Sequence, residues 1–222
     1  MKQAVRPQRR IGLTGGIATG KSTVAQLLCE QFGLPVLDAD LFAREALAPG
    51  TPGAEAVLER YGEAVRDRRP ADRSGRASQN ASGTGIDTAL DRAALGRIVF
   101  ADAAERRWLE QLVHPLVRQR FAAELERLES APVVVLMIPL LFEAGLEGLC
   151  SEIWLVDCPE AEQLRRLMAR DGLSEAEARA RLAAQWPRQR KRSRADVVID
   201  NGAAQKSLAD RLARALSPSA SR

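Results

Sequence analysis

Gly15-Gly16-Ile17-Ala18-Thr19-Gly20-Lys21-Ser22-Thr23 matches the pattern G-x-x-x-x-G-K-[ST] and stands between an apolar run at 11–14 and a helix-forming run at 23–32. Context gives the match its weight. The first run reads as a short buried strand. The second reads as an amphipathic helix with Val24, Leu27, Leu28 and Phe32 on one stripe. Strand, glycine turn and helix N-terminus are what polyphosphate binding needs. The glycines let backbone amides close on the anion, and the positive end of the helix favours it. Lys21 reaches the terminal phosphates, and the Ser22 hydroxyl ligates Mg²⁺. Residues Gly15, Gly16, Ile17, Ala18, Thr19, Gly20, Lys21, Ser22 and Thr23 are therefore predicted to hold a nucleoside triphosphate.

Outward from the loop, strand-like apolar runs recur at 35–37, 133–138, 153–156 and 197–199, with helical stretches between them. This alternation predicts an α/β fold, a P-loop NTPase core whose parallel sheet is covered on both faces. Residues 41–130 are helical in pattern and lack a central strand, so they read as a helical subdomain inserted between the second and third strands. Within it, 66–89 is polar, Gly/Ser/Arg-rich and aperiodic, and is expected to be a mobile loop. Pro159 is expected at the first position of a helix over 160–170 with Gly172 just past its end. Ser174 and Glu177 form a capping box that opens the next helix. Residues 217–222 are expected to fray.

The composition narrows the function classes. Of 222 residues, 45% are hydrophobic and 28% charged, with a net charge of +4. A balance this mildly basic suits phosphate ligands without requiring nucleic acid. With 4% aromatic residues and no recognition motif, a nucleic-acid module is disfavoured. A GTP-dependent switch is disfavoured too, because no Asn-Lys-x-Asp segment follows a late strand. Three cysteines (Cys29, Cys150, Cys158) without C-x-x-C spacing predict reduced thiols and a cytoplasmic setting. The basic residues near the start are followed by the glycine loop rather than a signal-peptide core. The longest apolar run, 133–142, is too short to span a bilayer. No membrane and no obligate protein partner are expected.

Several side chains fall where chemistry is expected. Ligands of an open parallel sheet sit at the carboxyl ends of its strands, so Asp38 and Asp40 after the second strand should approach the loop. If the chain stays extended there, both face one side. One would accept a hydroxyl proton while the other, or Ser22, holds Mg²⁺, and the alternative is a helix N-cap. Gln163, Arg166 and Arg170 share one helical face, as do Arg181, Gln185 and Arg188 on the next helix. Arg166 and Arg170 read as a phosphate clamp, since phosphoryl transfer is catalysed largely by positioning and positive charge. Arg190, Lys191, Arg192 and Arg194 read as a solvated basic face. His114, the one histidine, reads as a packing residue. Glu143 follows the third strand and is suited to substrate, to a metal through water, or to capping. Asn201-Gly202, after the last strand, is either near the nucleotide or a bare turn.

The order of these motifs resembles dephospho-coenzyme A kinases. Ile11-Gly12-Leu13-Thr14 with the phosphate loop, Asp38-Ala39-Asp40 with Ala43-Arg44, Leu90-Asp91-Arg92, Val99-Phe100 and His114-Pro115 carry the first half of the likeness. Pro139-Leu140-Leu141-Phe142-Glu143, Gln163-Leu164-Arg165-Arg166-Leu167 with Arg170-Asp171, and 195–201 carry the second. The resemblance runs over residues 11–201. It implies ATP-dependent phosphorylation of the ribose 3′-hydroxyl of dephospho-CoA, with ATP and Mg²⁺. The core would comprise 1–40, 131–158 and 195–222, the CoA-binding helical region 41–130, and a helical lid 159–194. By the same resemblance Asp40 is the base, Lys21 and a lid arginine such as Arg170 attend the phosphates, and Arg44 and His114 lie near the substrate. Between Gly62 and Leu90 the chain is longer and more polar than the short turn usual in that family.

Overall fold

The computed structural model describes residues 7–67, 89–202 and 208–217. Its centre is β1 (Arg9–Gly15), buried from Ile11 to Gly15. A strand covered on both faces carries a continuous apolar run rather than an alternating one. On one side β1 pairs in parallel with β3 (Val133–Met137), Ile11 lying opposite Val135. On the other side it pairs with β4 (Glu152–Asp157), Ile11 lying opposite Glu152. β2 (Val36–Asp38) adds outside β3 and β5 (Val197–Asp200) outside β4, so the order is β2-β3-β1-β4-β5, all parallel. The chain leaves β1 toward the β2 edge, and from β3 it passes back across β1 to β4. That reversal opens a crevice at the carboxyl ends of β1 and β3, and the glycine loop emerges there. The sheet matches the five apolar runs, with end shifts of one or two residues.

One face of the sheet is sealed by α1 (Lys21–Glu30) and α9 (Leu208–Leu216) around Ile11, Leu13, Val24, Leu28, Trp154 and Leu212. Each aliphatic side chain fully buried here is worth roughly 1.5–3 kcal/mol. The indole N–H of Trp154 donates to Glu152 at 2.9 Å, so its burial leaves no polar group unpaired. Arg9 pairs with Glu152, lies 5.8 Å from the centre of the Trp154 ring, and donates to the carbonyls of Ala215 and Leu216. A residue at the start of β1 thus caps the last turn of α9.

The chain divides into two compact units, residues 1–40 with 123–222 and residues 41–122. The boundaries fall inside α2 (Ala39–Ala46) and α5 (Ala103–Arg127). The second unit has its own core of Ala54, Val57, Val65, Leu90, Leu95 and Val99. It is built from α3 (Pro52–Tyr61), α4 (Arg92–Ala101) and much of α5. Thr51 and Asp91 cap α3 and α4 through their side-chain oxygens. Arg60 and Tyr61 both bond Glu105, and Tyr61 meets Trp108 edge to face.

Most of the loop expected at 66–89 lies outside the described residues. Its ends do not: Arg66 bridges Leu90, and the Asp67 amide donates to Ala89 at 2.9 Å. The polar stretch therefore starts and finishes in a clasped pair of strand-like residues, which its composition gave no sign of.

Candidate active site

The first hydrogen bond of α1 runs from the Val24 amide to the Gly20 carbonyl, and no acidic residue occupies its first turn. The amides ahead of Val24 have no partner within the helix, and no carboxylate neutralises its positive end. Gly20 sits at φ +92°, and a Cβ there would collide with the side-chain amide of Asn201. The positive φ favours glycine there, and any Cβ would also push the Asn201 amide off its bond to Thr19. Thr19, fully buried, donates its hydroxyl to the Gly16 carbonyl at 2.9 Å. The Lys21 ammonium spans back to the carbonyls of Gly15 (2.9 Å) and Gly16 (2.7 Å). Burial, aided by the charges of Lys191 and Arg170 and opposed by Asp40 and Glu143, brings its pKa down to about 8.

Those four charges mark what the fold gathers around Lys21. Asp40 stands in the first turn of α2, solvent-exposed and close enough to favour the charged lysine. The two acids do not share an extended face, because the helix begins at Ala39. Asp38, the last residue of β2, accepts the Asp40 amide at 2.8 Å and so serves as the helix-start acceptor. The extended reading fails because a local carboxylate–amide bond closes the turn at once.

α6 (Glu160–Asp171) carries the basic pair, preceded by Pro159 at the cap position itself, one place earlier than expected. Arg166 bonds Glu162 at 2.6 Å and the Asn201 carbonyl at 3.0 Å, while the Asn201 side chain donates to the Thr19 carbonyl at 2.8 Å. Arg166, Asn201 and the phosphate loop thus form one connected chain. Arg170, in the last turn, is bidentate to Asp171, which also receives Arg181. Gly172 ends α6 at φ +66°, and Ser174 and Glu177 form the expected capping box on α7 (Glu175–Ala183).

The face expected for Arg181, Gln185 and Arg188 does not exist. α7 stops at Ala183 and α8 (Arg188–Arg192) begins after Pro187, and the three side chains bond different partners, Asp171, Ile17 and Asp157. Arg188 forms two 2.7 Å bonds to the buried Asp157 at the end of β4, and Arg192 adds to the same carboxylate. Lys191, 2% exposed, pairs with Glu143 at 2.8 Å. The solvated reading is therefore overturned for Lys191 and Arg192. Acids delivered by β4 and by the segment after β3 lie beneath α8, and a run of charges in sequence does not show them. Glu143 also accepts the Trp186 amide at 3.1 Å. Burial would raise its pKa, but the bonds from Lys191 and Trp186 outweigh burial and hold it low. Its Oε2 has no hydrogen-bond partner among the described residues. A cavity of about 410 Å³ lies here, lined in part by Gly16, Asp157, Gln163, Trp186 and Lys191.

Two predicted substrate residues belong to the helical unit. Arg44 is in the last turn of α2, and its carbonyl accepts from Arg92 at 2.9 Å. His114 is half-buried within α5, just before the in-helix Pro115.

An all-parallel sheet with this crevice, a glycine loop leading into α1 and a lysine set among two cations and two carboxylates defines a P-loop phosphotransferase. The family model for dephospho-CoA kinase matches residues 9–77 and 79–207. A dephospho-CoA kinase of Synechococcus sp. (strain CC9605) is 61% identical over 194 residues, covering 87% of this chain and 85% of that one. One from Prochlorococcus marinus (strain MIT 9313) is 52% identical over 206 residues, covering 93% and 94%. Among solved structures, the dephospho-CoA kinase of Campylobacter jejuni aligns with a TM-score of 0.62 at 25% identity, covering 93% of this chain and 94% of that one. A Thermus thermophilus protein aligns at 0.73 and 42%, covering 95% and 96%. The chain belongs to the dephospho-CoA kinase family.

Proposed function

We propose that the residues around Lys21 divide the labour of moving the γ-phosphate of ATP to the ribose 3′-hydroxyl of dephospho-CoA. The reaction is that of the family, ATP and dephospho-CoA giving ADP and coenzyme A. The observation that carries the assignment is the shared charge environment of Lys21 and Asp40 at the carboxyl edge of the sheet. Asp40 is the carboxylate of that environment and faces solvent, while the Asp38 side chain accepts the Asp40 amide. Asp40 accepts the 3′-hydroxyl proton as that oxygen bonds to the γ-phosphorus. The bond from phosphorus to the bridging oxygen breaks, and ADP leaves with its electron pair. Lys21 and Arg170 offset the negative charge on the transferring group, and Arg166 with Asn201 steadies the nucleotide side of the loop.

Among the described residues no three His, Cys, Asp or Glu side chains gather into a metal cage. This suits Mg²⁺, which binds through one or two protein oxygens and completes its shell with phosphates and water. Ser22, exposed in the first turn of α1, would hold it, and the ion would supply positive charge against that of the phosphates. Glu143 Oε2 offers a further acceptor for substrate or for a metal-bound water. Arg44 and His114 we assign to dephospho-CoA on the family resemblance. The three free thiols fit a reducing, cytoplasmic setting, and no described helix is long and apolar enough to cross a membrane.

Asp40→Asn keeps the shape and removes the proton acceptor. Turnover should fall by about 10²–10⁴-fold with ATP affinity nearly unchanged, read as coenzyme A formed by mass detection alongside ATP titration. If Asp38→Asn costs more turnover than Asp40→Asn, the roles of the two acids are reversed.

A further inference from the structure

Ile17, at the tip of the phosphate loop, has both of its backbone polar groups taken by glutamines from outside the loop. Its amide donates to Gln185 Oε1 at 2.9 Å, and its carbonyl accepts from Gln163 Nε2 at 3.1 Å. Donor and acceptor logic fixes each amide's orientation, since an N–H needs an oxygen and a carbonyl needs an N–H. Gln163 lies on α6, three and seven residues before Arg166 and Arg170, and is 6% exposed. It packs so closely on the loop that a Cβ on Gly16 would strike its Nε2. Gln185 lies in the short link between α7 and α8, and its neighbour Trp186 is tied to Glu143.

The residue that follows is Ala18, the one described non-glycine residue with positive φ, at +59°. Such a conformation persists where the surroundings over-determine it. The Ile17 carbonyl belongs to the peptide plane that enters Ala18, and the Ile17 amide to the plane before it. The two glutamines therefore fix both planes leading into the strained residue.

We propose that Gln163 and Gln185 are positioning residues that hold the phosphate loop in its nucleotide-receptive shape by clamping Ile17 from α6 and from the link between α7 and α8. Neither touches the reacting atoms in this reading. The clamp couples the helix bearing Arg166 and Arg170 to the loop that those arginines serve. The proposal rests on the loop's role in ATP binding and is independent of the acceptor.

The test is equilibrium ATP binding without dephospho-CoA, on the full chain, for Gln163→Met, Gln185→Met and the double variant, with KM for ATP and kcat measured in parallel. Methionine keeps the length and removes the hydrogen bond. Each single variant should weaken ATP binding by about 2–10-fold, the range of one neutral hydrogen bond. The double variant should fall short of the product of the singles, because both act through one residue. KM for ATP should carry the loss and kcat should change less.

A matched pair separates geometry from bulk. Gln185→Glu keeps an acceptor opposite the Ile17 amide, whereas Gln163→Glu sets an acceptor against a carbonyl. Both add the same charge, so Gln163→Glu should weaken ATP binding more. Gln185 is only half-buried and its variants are expected to fold, which keeps the test decisive should Gln163→Met not. Wild-type ATP affinity in folded Gln185→Met, or equal losses in the two Glu variants, overturns the clamp. Failure of the wild-type chain to bind ATP would instead overturn the assignment of the loop.

Discussion

Lys21 is the residue whose environment is most consequential. An enclosed ammonium beside Lys191 and Arg170 loses its proton near pH 8, well below the 10.5 of a free lysine. The cation that attracts polyphosphate is present below that pH and disappears above it. ATP affinity and kcat/KM for ATP in the free enzyme should therefore decline as pH rises through about 8, by up to tenfold per unit at the steepest. The kcat limb should lie higher, because bound phosphates favour the charged lysine. Lys21→Arg, which keeps its charge throughout, should lose that limb in a pH series of ATP binding. Position alone singled out the same lysine, the two acids after β2, Arg166 and Asn201, and the structure puts Asp40 in the charge environment of Lys21 and Asn201 between Arg166 and Thr19. Gln163 and Arg170 could be placed on the face of Arg166 by helical spacing. What Gln163 bonds could not, since its partner is a backbone carbonyl 146 residues away in the chain.

Among the elements, the helix starts and stops were the clearest. Ser174 accepts the Glu177 amide, and the Glu177 carboxylate receives the Ser174 amide at 2.9 Å, as their spacing required. Ser174→Ala should cost about 1 kcal/mol, within the usual range for losing such a cap, and should be seen as a lower urea midpoint with unchanged slope. The loss is expected to appear first as faster amide exchange in α7. Harder to read was the break between α7 and α8. Residues 181–188 keep a helical repeat of polar side chains that masks the stop signalled by Pro187, and Arg181 on Asp171, Gln185 on Ile17 and Arg188 on Asp157 are anchored separately. α2 shows the opposite case. Asp38 starts the helix immediately through a local bond, which displaced the extended reading of Asp38 and Asp40.

At the scale of the molecule, a net charge of +4 meets two polyanionic substrates. Raising ionic strength from about 0.01 to 0.15 M shortens the screening length from roughly 30 to 8 Å. kcat/KM should fall several-fold over that range while kcat stays nearly flat, because steering acts on encounter and not on the bound complex. A random oligonucleotide at physiological salt should not bind or compete, in keeping with the small net charge.

By itself the sequence determined the features whose physics is local. Apolar runs of strand length, glycines at a positive-φ turn, helix caps and the acids following β2 all act over a few residues, so their spacing carries the information. Together they specified a parallel α/β core, its phosphate loop and the family. Only the tertiary structure decided which charges are buried and what the loop leans on. Arg188, Lys191 and Arg192 look alike within a basic run, yet each meets a carboxylate supplied from at least 31 residues away in sequence. Asp157 and Glu143 draw that run onto the protein, because a carboxylate removed from water must find a cation. The Ile17 clamp depends likewise on α6 and the α7–α8 link reaching the loop, and no periodicity in one segment records the approach of another.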